Sequence, residues 1–312
     1  DLHGYDTHGT FRLRQYVNRL RDGGTNPRAN IKVVKETAAT ALVDGDNALG
    51  HLPMLFATEL AIEKARTEGI GWVGVRNGNH AGPAAIYVNR AVKQDMIGLY
   101  AAVGSANHVP PFGGTDHLLG TNPIAIAVPA GDLPPFLLDM ATTVASVGKI
   151  KSLAQRGEPM PEGWMVGPDG KPLTDPARRE EGFLLPIGGP KGYGLAMAIG
   201  LLAGTLNGAA FGKGVVDFTK DTTSATNTGQ FVAAISVAAF AEVDTFKSDT
   251  DAVFNEMKQS KPLPGHGPVR IPGEGRGATF DDRMANGIPL HPNLVKTLHD
   301  IAGELQIPRL AL

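Results

Sequence analysis

The sequence predicts an α/β protein, and three observations lead there. Between residues 51 and 104 the hydrophobic pattern alternates in the order helix, strand, helix, strand. The 40 glycines and 23 prolines imply many tight turns and close backbone approaches. Hydrophobic residues make up 42% and charged residues 19% of the 312, an ordinary globular balance with ample material for a core. That length suits one large domain or two intertwined ones.

The elements follow in order. YDTHGTFRLRQYVNRLRDGG (5–24) reads as a helix that Thr7 or Thr10 could cap. Leu13, Tyr16, Val17 and Leu20 form its apolar stripe, and Gly23-Gly24 stops it. NIKVVKETAATALVDGDN (30–47) reads as two short strands ending in an Asp-Gly turn. LPMLFATELAIEKARTEG (52–69) is an amphipathic helix closed by Gly69, IGWVGVRN (70–77) a strand, PAAIYVNRAVKQDM (83–96) a helix with Pro83 near its start, and IGLYAAVG (97–104) a strand. NPIAIAVPAG (122–131) and PPFLLDMATT (134–143) read as further strands. Residues 151–187 form a polar, Pro- and Gly-rich excursion, and GYGLAMAIGLLAGTLNGAAFG (192–212) a buried helix. A polar loop (218–229), a strand (230–240), a helix (247–261), a loop at IPGEGRG (271–277) and a closing helix (291–307) complete the chain.

Several function classes drop out. A net charge of −2 leaves no electrostatic footprint for nucleic acid. No apolar run is fit to span a bilayer: the long one at 192–212 carries six glycines and has no flanking hydrophobic segment. Cysteine is absent, which removes disulfides, thiolate metal sites and thiol nucleophiles and points to a reducing cytoplasm. No signal peptide is visible, and the chain starts at Asp1, without Met and inside what reads as an element, so further residues are expected ahead of it. There is no G-x-G-x-x-G after a strand, no Walker A, no H-E-x-x-H and no G-x-S-x-G, while GGPKGYG has the glycines at the wrong spacing. A dinucleotide, if bound, needs a non-Rossmann scaffold.

Five places could carry chemistry. His8 and Arg12, four apart, are expected on one helix face with Tyr16 a turn further on. A guanidinium fork beside a histidine donor would anchor a carboxylate, although a solvated helix face has the same spacing. His80, in RNGNHAGP (76–83), sits at a strand-to-helix junction, where an imidazole can exchange a proton during carbonyl/alcohol interconversion or simply bond a nearby backbone group. Ser105, Asn107 and His108 make a second polar corner after the next strand, able to orient a ligand or to form a turn. Asp139 precedes a run of small residues that would let a flat ligand approach; it could equally cap a helix. Lys191 lies in a glycine-rich bend ahead of an apolar helix, fit for a phosphate or for plain solvent. A different chemistry, metal-assisted hydrolysis through His3, Asp6 and His8, lacks a clear further ligand, so no metal is expected; a non-catalytic binding protein is a third reading.

Taken together, DTHGTFRLRQY, ALVDGDNALGH, GIGWVGVRNGNHAG, VPPFGG, LLGTNPIAIAVPAG, LDMATTVASVGKI, TDP and LLPIGGPKGYGLAMAIGLLAGTLNGA resemble, in order, the malate/L-lactate dehydrogenase type 2 family, over roughly residues 1–215. That family also contains ureidoglycolate, sulfolactate and diketogulonate oxidoreductases and piperideine/pyrroline carboxylate reductases. The resemblance implies a non-Rossmann NAD(P)-binding fold, a mixed sheet with flanking helices. It implies a homodimer with active sites near the subunit interface, and a small carboxylate substrate. The division would be residues 1–70 plus 225–312 for substrate and dimerisation and 71–224 for NAD or NADP. His80 matches the family's proton donor/acceptor; Thr7, His8 and Arg12 match its substrate-side motif, Thr7 replacing the usual Ser, with Tyr16 and Asn107 as further substrate contacts. Ser105, Asp139, Met140, Ala141 and Lys191 match cofactor-contacting positions. Two departures stand out: Ala81 follows His80 where many members carry an aromatic, and Gly200 stands where relatives are often acidic.

Overall fold

A computed structural model describes residues 1–311. A seven-stranded sheet organises the chain, in the order β1-β2-β3-β9-β4-β5-β6. β1 (Lys32–Glu36) and β2 (Thr40–Asp44) form a hairpin, and α2 (His51–Glu68) then crosses over to β3 (Ile70–Gly78), parallel to β2. α3 (Ala85–Val92) leads to β4 (Met96–Ala102), and β5 (Ile124–Val128) and β6 (Phe136–Met140) follow as an antiparallel meander. β9 (Thr228–Ser236) inserts between β3 and β4, antiparallel to both. The sheet is therefore mixed and mostly antiparallel, and β2–β3 is its parallel pair among the described residues.

Small residues set the layer spacing. α2 buries Met54, Ala57, Ala61, Ile62 and Ala65 against the sheet. In β3 it meets Gly71, where a Cβ would stand 2.0 Å from the Ala61 carbonyl oxygen, so only glycine permits the approach. Tyr87 of α3 stacks on Tyr100 of β4 at 5.1 Å in the same core. No helix among the described residues is long and apolar enough to cross a membrane.

Three expectations change. The 151–187 excursion is structured: α4 (Val147–Arg156), the two-stranded sheet of β7 (Met165–Val166) and β8 (Phe183–Leu184), and a 3-10 turn at 176–181 enclose a second core of Ile150, Met160, Met165 and Leu184. The apolar stretch at 192–212 is not one buried helix. α5 (Pro190–Ile199) passes into a π turn at 200–204 and a 3-10 turn at 205–207. Ala196, Ile199 and Ala203 face inward, while Leu201, Leu202 and Leu206 remain 41–64% exposed, so the stretch buries one apolar face and leaves another open. A side chain at Gly200 would overlap the Phe211 ring at 2.2 Å, which accounts for glycine there.

The loop expected at 271–277 contains the start of α7 (Glu274–Asn286), which begins after a left-handed Gly273 despite Gly275 and Gly277. Tertiary contacts override their weak propensity: Arg276 donates to the His3 and Gly4 carbonyls, and Arg283 pairs with Asp6. α6 (Val243–Lys258) precedes it and α8 (Pro292–Glu304) closes the chain.

Candidate active site

Strand direction assembles the site. β2, β3, β4 and β6 end at one edge of the sheet, where β5 and β9 begin. His80 follows β3 and Ser105 follows β4, so both polar corners come to that edge, the site of ligands in open α/β sheets. His8, Arg12, His80, Ser105, His108 and Lys151 line a common cavity of about 120 Å³ there.

Asn79 anchors His80. It is 1% exposed, donates to the Asn47 and Ala48 carbonyls, and accepts from the Thr226 hydroxyl. Its own carbonyl accepts from Gln230 at 3.0 Å. One buried amide thus joins the ends of β2, β3 and β9; its only sequence signal was its place in the polar corner. The His80 ring lies between His8, at 5.6 Å, and Phe218, at 5.2 Å. The Tyr16 hydroxyl is 2.7 Å from Nδ1, which leaves Nε2 for the cavity.

Tyr16 comes from α1 (Leu13–Asp22), and Arg12 is the residue just before that helix, with no side-chain capping bond to it. The expected shared helical face of His8 and Arg12 is not formed: a 3-10 turn at Thr10–Arg12 precedes α1, and His8 lies before it. Arg12 Nε instead turns back to the Thr7 carbonyl at 2.9 Å, so a closed turn, not helix periodicity, brings the two together. Nη1 reaches Gln15, and no carboxylate pairs with Arg12 among the described residues. One turn beyond Tyr16, the fully buried Arg19 donates to the Gly24, Asp221 and Ser224 carbonyls and lies over Phe218 at 5.3 Å. It holds the loop that carries Asp217, Phe218 and Lys220, residues absent from the sequence reading because they are remote in the chain and belong to no motif.

The other expected positions divide. Thr7 bonds the His8 ring at 2.9 Å and packs on Gly148 at the start of α4. Asn107 donates to the Gly212 carbonyl and lines an adjoining cavity with His108 and His117. Asp139 accepts from the Ala85 amide at 2.9 Å, serving α3, which has no side-chain cap of its own. Burial pushes its carboxyl up. Asp139, Met140 and Ala141 border neither the His80 cavity nor an apolar cavity of about 570 Å³ around Phe112, Val144 and Gly189. Lys191 stands exposed in the first turn of α5, two residues past Gly189. His3, Asp6 and His8 go separate ways, to Phe280, Arg283 and His80, and no metal-holding group of His, Asp or Glu forms among the described residues.

Burial sets the protonation of the site. It pushes His80 well below its ordinary 6.5, assisted by the Arg12, His8 and His51 charges. It pushes His8 down to about 4, again with help from Arg12. These rings stay neutral in the fold while free imidazole protonates near 6.5, so the unfolded chain binds more protons below that pH. Thermal stability is expected to be full above pH 6.5 and to fall as pH drops from 6.5 toward 4, as read from Tm across that window. A His8→Gln variant should show a shallower decline; an equal slope would contradict the assignment.

Known proteins resemble this chain over nearly its whole length. A family model described as malate/L-lactate dehydrogenase matches residues 1–299. The L-sulfolactate dehydrogenase of Methanocaldococcus jannaschii is 42% identical over 305 residues, covering 98% of this chain and 87% of that protein. The malate dehydrogenase of Pyrococcus abyssi is 39% identical over 311 residues, covering 97% and 84%. A solved structure of the M. jannaschii sulfolactate dehydrogenase superposes with a TM-score of 0.90 at 42% identity, over 98% of this chain and 88% of that one. The chain belongs to the malate/L-lactate dehydrogenase family and is an oxidoreductase of the CH–OH class.

Proposed function

We propose that the chain interconverts a small 2-hydroxy acid of the malate or sulfolactate kind and its 2-oxo acid, with NAD or NADP as the redox partner. The observation that carries this reading is the pairing, in one small cavity, of a neutral imidazole with Nδ1 held by Tyr16 and a guanidinium with no acid partner. Arg12 holds the C1 carboxylate through the donors left after Thr7 and Gln15 are served. In oxidation, His80 Nε2 takes the proton from the C2 hydroxyl, the ring being held at Nδ1 by the Tyr16 hydroxyl; in reduction it returns that proton to the C2 oxygen. Phe218 and His8 wall the ring and keep water from it. His8 and Thr7 stand beside the substrate, and Asn107 acts from the adjoining cavity.

The residues present fit a nicotinamide dinucleotide. The 570 Å³ cavity is mostly apolar and is bordered by Gly188 and Gly189, both at positive φ, with Phe112 exposed on its wall. The chain connects the two cavities, since Val144 borders this one and Ser146 and Val147 the other. When bound, the nicotinamide accepts the hydride from C2 in oxidation. Ser105 faces the substrate cavity, Lys191 would meet a phosphate, and Asp139, Met140 and Ala141 lead into the connecting segment. In this reading residues 71–224 carry the cofactor and residues 1–70 with 225–312 carry substrate and dimer contacts. The exposed Leu201, Leu202 and Leu206 lie outside those dimer segments and offer a further apolar contact for a homodimer from the cofactor segment.

Absorbance at 340 nm, followed with both reduced cofactors over a panel of 2-oxo acids and cyclic imines, tests the reading. Turnover is expected with a 2-oxo diacid and one of the two cofactors. Oxidation of neither cofactor by any 2-oxo acid, or turnover confined to cyclic imines, would refute it.

A further inference from the structure

Among the described residues, one cation of the cavity is neither used by the proposed chemistry nor paired with an acid. Ser146, Val147, Gly148 and Lys151, from the first half of α4 and its cap, line the same cavity as Arg12 and His80. Lys149, two residues earlier, leaves the cavity and lies over the Trp164 ring at 4.7 Å. Lys151 is half-buried and, among the described residues, has neither an ion pair nor a hydrogen-bond acceptor.

The acids nearby are already engaged. Glu180 pairs with Lys220 at 3.0 Å, and Asp217 accepts from the Thr219 amide and hydroxyl at 2.8 and 2.7 Å. The cavity's three cations, Arg12, Lys151 and Lys220, outnumber its two carboxylates, Glu180 and Asp217. His8, His80 and His108 add no charge near neutral pH, because burial holds each ring down. A partly desolvated ammonium without an anion costs free energy, and a bound anion repays that cost.

We infer that Lys151 is a specificity-determining residue that receives a second acidic group on C3 of the substrate. The enzyme then selects dianionic 2-hydroxy acids, with a carboxylate or sulfonate at C3, over acids whose C3 is a methyl group or whose distal group is an uncharged ureido. This rests on the assignment of the cavity to a 2-hydroxy acid. Two cations in one cavity divide the work: the planar Arg12 fork takes the C1 carboxylate, and the flexible Lys151 ammonium takes the distal anion as a point charge. A cavity of about 120 Å³ suits a substrate of this size.

The test compares kcat/KM for malate and lactate, which differ only in the C3 substituent, in the wild type, Lys151→Gln and Lys151→Arg. Each is assayed with the dinucleotide that supports turnover, and circular dichroism confirms folding. The wild type is expected to prefer malate strongly. Lys151→Gln should lower the malate value about 10- to 100-fold, mainly through KM, and the lactate value far less. Lys151→Arg should recover most of the malate value. Equal losses on both substrates, or no change on malate, would overturn the role of Lys151 and leave the hydroxy-acid assignment standing. A wild type that oxidises no 2-hydroxy acid would overturn that assignment, and this inference with it.

Discussion

Replacement of His80 by asparagine is expected to lower turnover by about 10²–10⁴-fold, the usual worth of a positioned acid–base group. The variant should fold and bind the dinucleotide as the wild type does. Asn79, which joins three strand ends just before His80, is untouched by the substitution. The side chain that is lost contributes hydrogen bonds at Nδ1, with the Tyr16 hydroxyl and from the Gly82 amide, and ring stacking between His8 and Phe218. An asparagine amide cannot carry the C2 hydroxyl proton, so the deficit should fall on kcat. Stopped-flow measurement of hydride transfer checks this, with cofactor binding followed by nicotinamide fluorescence. Retention of near-wild-type turnover would remove His80 from the mechanism.

Arg12→Met is expected to reduce kcat/KM by about 10²–10³-fold, as charge-assisted hydrogen bonds to a carboxylate are worth about 1.5–3 kcal/mol each. Arg12→Lys should recover only part of that, because an ammonium cannot present the fork. The pH profile separates charge from shape. The Arg12 charge is the second cause, after burial, of the lowered His80 pKa. Oxidation needs the neutral ring, so wild-type kcat/KM should stay level as pH falls through 6.5 and decline only below it. Without the Arg12 charge the His80 pKa rises, and the acid limb should move to higher pH in Arg12→Met but not in Arg12→Lys. An unmoved limb in the Met variant would show that Arg12 does not face His80 electrostatically.

Much of this could be read along the chain. Alternation from helix to strand across 51–104 placed α2, β3, α3 and β4, because each buries a face whose period is local. The two polar corners at His80 and Ser105 were visible for the same reason: Asn, Gly and His interrupt apolar runs where strands end. The glycine-rich start of α7 misled, since its stability comes from Arg276 and Arg283 gripping the N-terminal segment 272–277 residues away. His8 and Arg12 were associated correctly but for the wrong cause, as a turn closed by the Thr7 carbonyl unites them.

By itself, the sequence determined the α/β class, the order of most elements, the family and the motifs in which His8, Arg12, His80 and Ser105 occur. These depend on periodicity and on short, contiguous wording. The tertiary structure alone decided that Tyr16 backs His80, that Asp139 serves the start of α3, and that Lys151, Asp217, Phe218 and Lys220 complete the wall. Each of those contacts joins segments distant in the chain. They meet only in the folded sheet, where β9 inserts between β3 and β4, an arrangement set by packing of the whole sheet and encoded in no local stretch.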